Sequence, residues 1–480
     1  MRSSTHPTST ASLARALCYT NAFVPAPSCT PCRSSLLSGR YFWNTERGAI
    51  LQGAVWDSTI PTYPLLLEES GYHIGYTYKV WSPGTPRDEP YGGDRTRYAP
   101  AGSRFGQFSQ TATSYVEERG VEGAKEVLYD EVRANFEAFL QARPQDAPFC
   151  YWWGPTNTHR KWERGSGKAL WGLEPDDLEG RLPDFLPDVH EVREDFCDYL
   201  GECLAVDAGL GLLLKRVEEL GELDNTLVVV SGDHGIPGFP RAKCNLYDLG
   251  CEVALAVRWP GRVPEGRVVE DFVNLMDLAP TFLQAAGLEP PDCMSGRSLM
   301  DVLESTASGL VDSERTFVVT GRERHVGRAR QGNLPYPQRA IRTKDFLYIR
   351  NYAPERWPMG DPEGLDDPNA EPPSYEELCN DTHLCYRDMD AGPTKAWMIH
   401  HRGEELVRRL FEMGFGKFPP EELYDLRVDP HYMSNVVEDP AYRQDRQRLA
   451  QQLEEVQLAH ADPRVVEPDC RFERSPYTDV

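Results

Sequence analysis

The sequence predicts an α/β protein: a large mixed, mostly parallel sheet sandwiched by helices, followed by a smaller C-terminal domain with an antiparallel sheet and a terminal helix. Three observations carry this. From about residue 60 to 290, helix-like stretches closed by glycine alternate with short apolar runs that end in polar loops. The run Thr226-Leu227-Val228-Val229-Val230 is continuous and β-branched, the pattern of a central parallel strand buried on both faces. Beyond the small, polar interval 305–313 the character changes, which divides the chain into an α/β domain over 1–305 and an α+β subdomain over 306–480.

Pro64 to Ser70 reads as a short helix stopped at Gly71, followed by a strand over Tyr72 to Tyr78. Val121 to Arg143 is an amphipathic helix with Leu128, Val132, Phe136 and Leu140 four apart, leading into the apolar run Phe149 to Trp153. Leu210 to Leu220 is a helix stopped at Gly221. Thr226 to Val230 and Val253 to Trp259 are strands, and Met276 to Ala286 is a helix stopped at Gly287. Residues 339–352 form a hairpin, 354–392 a Pro- and acid-rich loop segment, and Tyr442 to His460 a terminal helix. There is no internal repeat.

Composition narrows the function classes. No stretch of about 18 consecutive apolar residues exists, so no membrane span is expected. Fifty-one Lys and Arg against seventy-five Asp and Glu leave a net charge of −24, a field that repels nucleic acid and other polyanions. Twelve irregularly spaced cysteines are too few for a disulfide scaffold. Residues 1–28 contain neither the apolar core of a signal peptide nor any Asp or Glu, and the compartment stays open.

The segment Pro27-Ser28-Cys29-Thr30-Pro31-Cys32-Arg33-Ser34-Ser35-Leu36-Leu37-Ser38-Gly39-Arg40 carries the chemistry. Cys29 and Cys32 read as a redox pair, as half a zinc site, or as two cysteines in a helix-starting turn. A further reading uses more residues: Pro31 in the first turn places Cys29 at a helix N-terminus, where backbone N–H groups bind anions, and Arg33 adds a positive charge. Cys29, Pro31 and Arg33, followed by Gly39 and Arg40, resemble the signature of the type I sulfatases. That resemblance implies conversion of Cys29 to formylglycine (3-oxoalanine) by a dedicated modifying enzyme, and action on a sulfated small molecule or glycan.

The resemblance extends from about residue 20 to 440. It implies that Lys79, in Gly75-Tyr76-Thr77-Tyr78-Lys79, contacts the sulfate, that His159 contacts substrate and protonates the leaving group, and that Lys243 holds the sulfate near the leaving group. It also implies one calcium ion, with Asp233, His234 and the modified Cys29 as ligands. Each residue has an ordinary reading as well: a solvated lysine, a structural histidine, an Asp-His-Gly turn capping the next element. Their positions after predicted strands favour the site, because ligands of open α/β sheets bind at that edge. Asp224 to Leu227, Gly235-Ile236-Pro237 and Asn245-Leu246-Tyr247 are most similar to the heparan N-sulfatase branch.

Two departures matter. The family's first strand, with its adjacent calcium-binding aspartates, is missing, so the sequence is expected to begin inside the true product. In that reading Ala11 to Arg15 is the tail of the first helix, and Tyr19 to Phe23 the strand entering the site. Trp81 stands where many relatives carry histidine. Competing readings are a phosphate or phosphonate monoesterase on the same fold and a non-catalytic sulfated-glycan binder. Arg322, Arg324, His325, Arg339 and Arg342 either hold a uronate carboxylate or form a basic hairpin face opposite the acidic loop at 361–378.

Overall fold

The computed structural model describes residues 15–479; the expected helix tail at 11–14 lies outside the described residues. The elements that position the site run in the order β1 (Leu17–Phe23), α1 (Cys29–Ser38), α2 (Tyr63–Glu69), β2 (His73–Tyr78), α3 (Phe108–Ala142), β3 (Phe149–Gly154), α4 (His190–Glu219), β4 (Val228–Ser231), β5 (Leu255–Arg258), β6 (Val268–Asn274) and α5 (Leu278–Ala285). They continue through β7 (Phe317–Arg322), β8 (Gln338–Thr343), β9 (Phe346–Asn351), α6 (Pro393–His400), β10 (Glu421–Asp425) and α7 (Arg443–Ala459).

The main sheet has the order β4-β5-β1-β6. β1 pairs parallel with β6, whereas β5 is antiparallel to both β1 and β4, so three strands share one direction and β5 runs against them. β2 and β3 form a separate parallel pair. The later strands build an antiparallel sheet in the order β10-β9-β8-β7. The class is therefore mixed α/β with an antiparallel partner sheet, as the alternation pattern predicts.

Strand β4 differs from its sequence pattern, and α4 begins at His190, twenty residues before the expected Leu210. β4 is not a central parallel strand: it borders the sheet, pairs antiparallel with β5, and is only half-buried. Its β-branched run does reflect two-sided packing, because Leu227 and Val229 join the main core while Val228 joins the core beneath α3 and α4. β3 divides in the same way, with Cys150 and Trp152 on the first core and Phe149, Tyr151 and Trp153 on the second. A continuous apolar run reports burial on both faces and is silent about which strand lies alongside.

Helix α3 begins thirteen residues before the expected Val121, and the reason is local. Gly120 breaks the helix with φ 70° and ψ 169°, so the amphipathic stripe read from the sequence is the segment after the kink. Leu128, Val132 and Phe136 of that stripe are fully buried, each worth about 1.5–3 kcal/mol of apolar burial, and Leu140 is partly buried against the same core. The predicted hairpin at 339–352 is β8 and β9, and α7 covers it with Leu449 and Leu453 against Ile341 and Tyr348. The 354–392 segment holds a short helix (Tyr375–Asn380) and its own small core, in which Met359, Tyr386 and Met389 pack with Cys244. That packing ties the segment to the neighbour of Lys243. Among the described residues no helix is long and apolar enough to cross a membrane.

Candidate active site

β1 delivers the chain to the start of α1, whose first residue is Cys29. Every residue of α1 is buried, and Ser28, just before it, bonds His325 Nδ1 through its hydroxyl at 2.8 Å. Arg33, one turn on, donates from Nε to Asp233 Oδ2 at 2.7 Å and from Nη1 to the carbonyls of Lys79 and Val80 at 3.1 and 3.0 Å. One guanidinium thus joins α1 to the ends of β2 and β4. Cys29 Sγ lies 3.1 Å from His234 Nε2, and His234 Nδ1 donates to the Gly235 carbonyl at 2.7 Å.

The electrostatics follow from this crowding. Burial alone would raise the Cys29 thiol, but Lys79, His234 and Lys243 hold it well below its ordinary value. Burial likewise opposes the His234 imidazolium, and Asp233 with the Cys29 sulfur raises it. Asp233 is pushed up by burial and pulled well below the carboxylate range by Arg33, His234 and Lys79. Among the described residues the Lys79 ammonium makes no hydrogen bond or ion pair, which leaves its charge free for an incoming anion.

A second cluster stands beside the first. Lys243 Nζ lies 2.8 Å from His159 Nε2 and 3.0 Å from Asp390 Oδ2. His159 Nδ1 donates to the Arg160 carbonyl at 2.9 Å, so Nε2 carries the lone pair and accepts from Lys243. The Lys243 charge, then burial, lowers the His159 pKa, with Asp390 opposing. His159 therefore rests neutral, and the proton lies on Lys243.

The structure brings together Cys29, Arg33, Asp233 and His234 by direct contact and His159 with Lys243 by direct contact. Lys79 and Lys243 reach Cys29 through their charge. Asp390 is the residue that sequence reading missed, since it lies in the loop segment 147 positions from Lys243 and carries no local pattern. Cys32 is fully buried in the main apolar core, its thiol is held well above its ordinary value by that burial, and both cysteines are free, which speaks against the redox-pair reading. Trp81 is fully buried and donates from Nε1 to Ser34 Oγ at 2.8 Å, a prop beneath α1 rather than a group in the site.

The arginine-rich hairpin is neither a uronate cradle nor a solvated basic face. Arg322 pairs with Asp388 at 2.6 Å, and Arg339, fully buried, pairs with Asp462 at 2.7 Å and Glu323 at 2.9 Å. Arg342 pairs with Asp248 at 2.9 Å, Arg324 donates to the carbonyls of Gln52 and Asp479, and His325 bonds Ser28. Burial favours internal partners for these guanidiniums: Arg322, Arg339 and Arg342 take carboxylates, and Arg324 takes two backbone carbonyls.

Cys29, Asp233 and His234 offer ligand atoms within 4.8 Å of one another. This donor set does not fit calcium, which takes six to eight oxygens. Among the described residues it supplies one carboxylate, already committed to Arg33, with a thiol and an imidazole. The polar surroundings of Cys29 Sγ do suit a hydrated aldehyde, which needs donors and positive charge around both hydroxyls.

A buried cysteine at a helix N-terminus, with the charges of Arg33, Lys79 and Lys243 gathered after the ends of β1, β2 and β4, makes a cationic site of the kind that receives an anion. A family model described as Sulfatase matches residues 2–288, and a second, described as N-sulphoglucosamine sulphohydrolase, C-terminal, matches residues 241–380. The chain belongs to the sulfatase family and is a sulfuric ester hydrolase by that membership. It is 26% identical over 477 residues to human N-sulphoglucosamine sulphohydrolase, covering 95% of this chain and 86% of that one. It is 24% identical over 457 residues to an ulvan-active sulfatase of Formosa agariphila, covering 91% and 68%. Among solved structures, a protein in complex with its substrate D-glucosamine-2-N,6-O-disulfate superposes with TM-score 0.60 at 18% identity, over 95% of this chain and 93% of that one. The phosphonate monoester hydrolase of Silicibacter pomeroyi superposes with TM-score 0.58 at 18% identity, over 95% and 90%. These two likenesses speak for the fold alone.

Proposed function

We propose that this protein hydrolyses the sulfate ester or sulfamate of a sugar, with residue 29 as the nucleophile after a modifying enzyme has converted it to formylglycine. The observation that carries the reading is the convergence of Arg33, Lys79, Lys243 and His234 on Cys29 at the N-terminus of α1. The formylglycine hydrate supplies an attacking oxygen and a second hydroxyl that lets sulfate depart. Arg33 and the backbone N–H groups of α1 orient the anion, and Lys79 and Lys243 neutralise charge that builds on its oxygens. The leaving oxygen or nitrogen takes its proton from the Lys243–His159 couple, in which Nε2 of His159 receives from Lys243. Arg160 holds His159 in that tautomer through its carbonyl.

The N-sulphoglucosamine name shared by the C-terminal model and the human relative supports an N-sulfated glucosamine as substrate. The test is expression with a formylglycine-generating enzyme, mass spectrometry of the Cys29 peptide, and assay of N-sulfoglucosamine. The expected result is conversion of residue 29 and release of sulfate, abolished by Cys29→Ala. Conversion without sulfate release from any sulfated sugar would sink the reading. A phosphonate monoesterase activity on the same fold is the competing reading, checked by comparing 4-nitrophenyl sulfate with 4-nitrophenyl phenylphosphonate. Faster turnover of the phosphonate would make it the main one.

A further inference from the structure

Asp390 holds an acceptor that the protein does not use. Its Oδ2 takes the hydrogen bond from Lys243, while Oδ1 accepts none among the described residues and lies 3.7 Å from His159 Nε2. The side chain is 13% exposed and that of His159 36%, so solvent reaches both.

The carboxylate is not free to swing away. On one side Asp388 takes Arg322 and Arg330 at 2.6 Å each and the Val326 N–H at 3.0 Å, and the Met389 carbonyl accepts from Lys395 at 3.0 Å. On the other, Ala391 N donates to Thr382 Oγ1 at 3.0 Å. Thr394 bonds Asp195, which grips Arg160 with both oxygens at 2.6 and 2.7 Å. Arg160 is the residue whose carbonyl orients His159. Asp390 is thus presented from a pinned segment to the same place as the proton-bearing couple. The two arginines beside this segment, Arg322 and Arg330, are spent on Asp388.

We infer that Asp390 is a specificity-determining residue: its Oδ1 accepts a hydrogen bond from a hydroxyl or N–H group on the carbon next to the sulfated one, and its charge turns away a carboxylate at that place. The inference rests on the sulfatase reading and adds the chemistry of the substrate's neighbouring group. A site built around a charged acceptor discriminates against analogues without the donor, because the acceptor is then desolvated without a partner. A hydrogen bond to a charged group corresponds to about 10- to 100-fold in binding.

The experiment is calorimetric binding to the full chain carrying Cys29→Ala, which removes turnover. N-Sulfoglucosamine is compared with cyclohexylsulfamate, the same sulfamate without neighbouring hydroxyls. The expected result is a preference for the sugar of about 10-fold or more. Asp390→Ala in that background should abolish the preference. Asp390→Asn, which keeps an oxygen for Lys243 but not the charge, should also lose most of it. Equal affinity for the two probes in the parent, or an unchanged preference in both Asp390 variants, overturns the inference. A preserved, Asp390-dependent preference in a protein that releases no sulfate would leave this inference standing and remove the hydrolase reading.

Discussion

Removing the Arg33 side chain tests whether the site is held by one guanidinium. Arg33 is 7% exposed and donates three hydrogen bonds, one to Asp233, whose side chain is 24% exposed, and two to carbonyls at the end of β2. Stripping the partner from a buried charge costs about 3–5 kcal/mol, and the partial exposure of Asp233 trims this to about 2–4. The two abandoned carbonyls add about 1 kcal/mol each where water does not reach them. Arg33→Ala should therefore destabilise the chelator-treated protein by about 4–6 kcal/mol in urea unfolding at neutral pH, with an unchanged m-value. Arg33→Lys keeps the charge without the fork and should cost about 1–2 kcal/mol. The double variant Arg33→Ala/Asp233→Asn removes the stranded charge and should recover at least about 1.5 kcal/mol. The pH dependence has a definite sign. Burial raises Asp233 but Arg33 and its neighbours lower it overall, so the pair's contribution is present above the unfolded carboxylate pKa and fades as pH falls through the folded one. A cost below about 1 kcal/mol, or single effects that simply add in the double variant, would refute the reasoning.

Glu202 should make stability fall with rising pH. Its burial lifts the pKa from 4.5 to about 7, so the folded state keeps a proton that the unfolded state releases, and Glu202→Gln should lessen the loss between pH 5 and 8 by about 2–3 kcal/mol in thermal or urea unfolding. Gly154→Ala would put a Cβ 2.1 Å from the Lys79 carbonyl, backbone that Arg33 and Trp152 both bond, so kcat/KM should fall about tenfold or more and stability by about 1–3 kcal/mol. Gly403→Ala, with nothing within 4 Å of its Cβ, should change neither in the same assays. Trp81→His, which restores the residue many relatives carry, should cost about 2–4 kcal/mol by circular dichroism melting, because Trp81 fills the space under α1 against Trp56, and sulfate release should not rise.

Much of this architecture is legible in local pattern. The strand ends that carry Lys79 and Asp233, the helix at Cys29 and the β8–β9 hairpin all follow from apolar runs, glycine stops and a proline in a first turn. What local pattern does not encode is adjacency. The Val228–Val230 run has the composition of a two-sided strand, yet nothing in it names β5 as the partner or antiparallel as the sense. The same holds for Asp390, an acid in an acid-rich loop until folding sets it against Lys243. The arginines of the hairpin show the converse: their composition suggested a binding surface, and burial turned them into internal ion pairs.

The contacts that close the site join residues far apart in the chain: 200 positions for Arg33 and Asp233, 147 for Lys243 and Asp390, 297 for Ser28 and His325. Loop closures of that span are made late in folding, after local helices and hairpins have formed. Cys29 is only 4% exposed once they are made, with charged side chains around it. A modifying enzyme, which must bind the chain around residue 29 as well as its sulfur, meets that segment before those closures or during an opening that undoes several at once. The yield of conversion at residue 29 is accordingly tied to the assembly of the whole molecule rather than to one residue's reactivity.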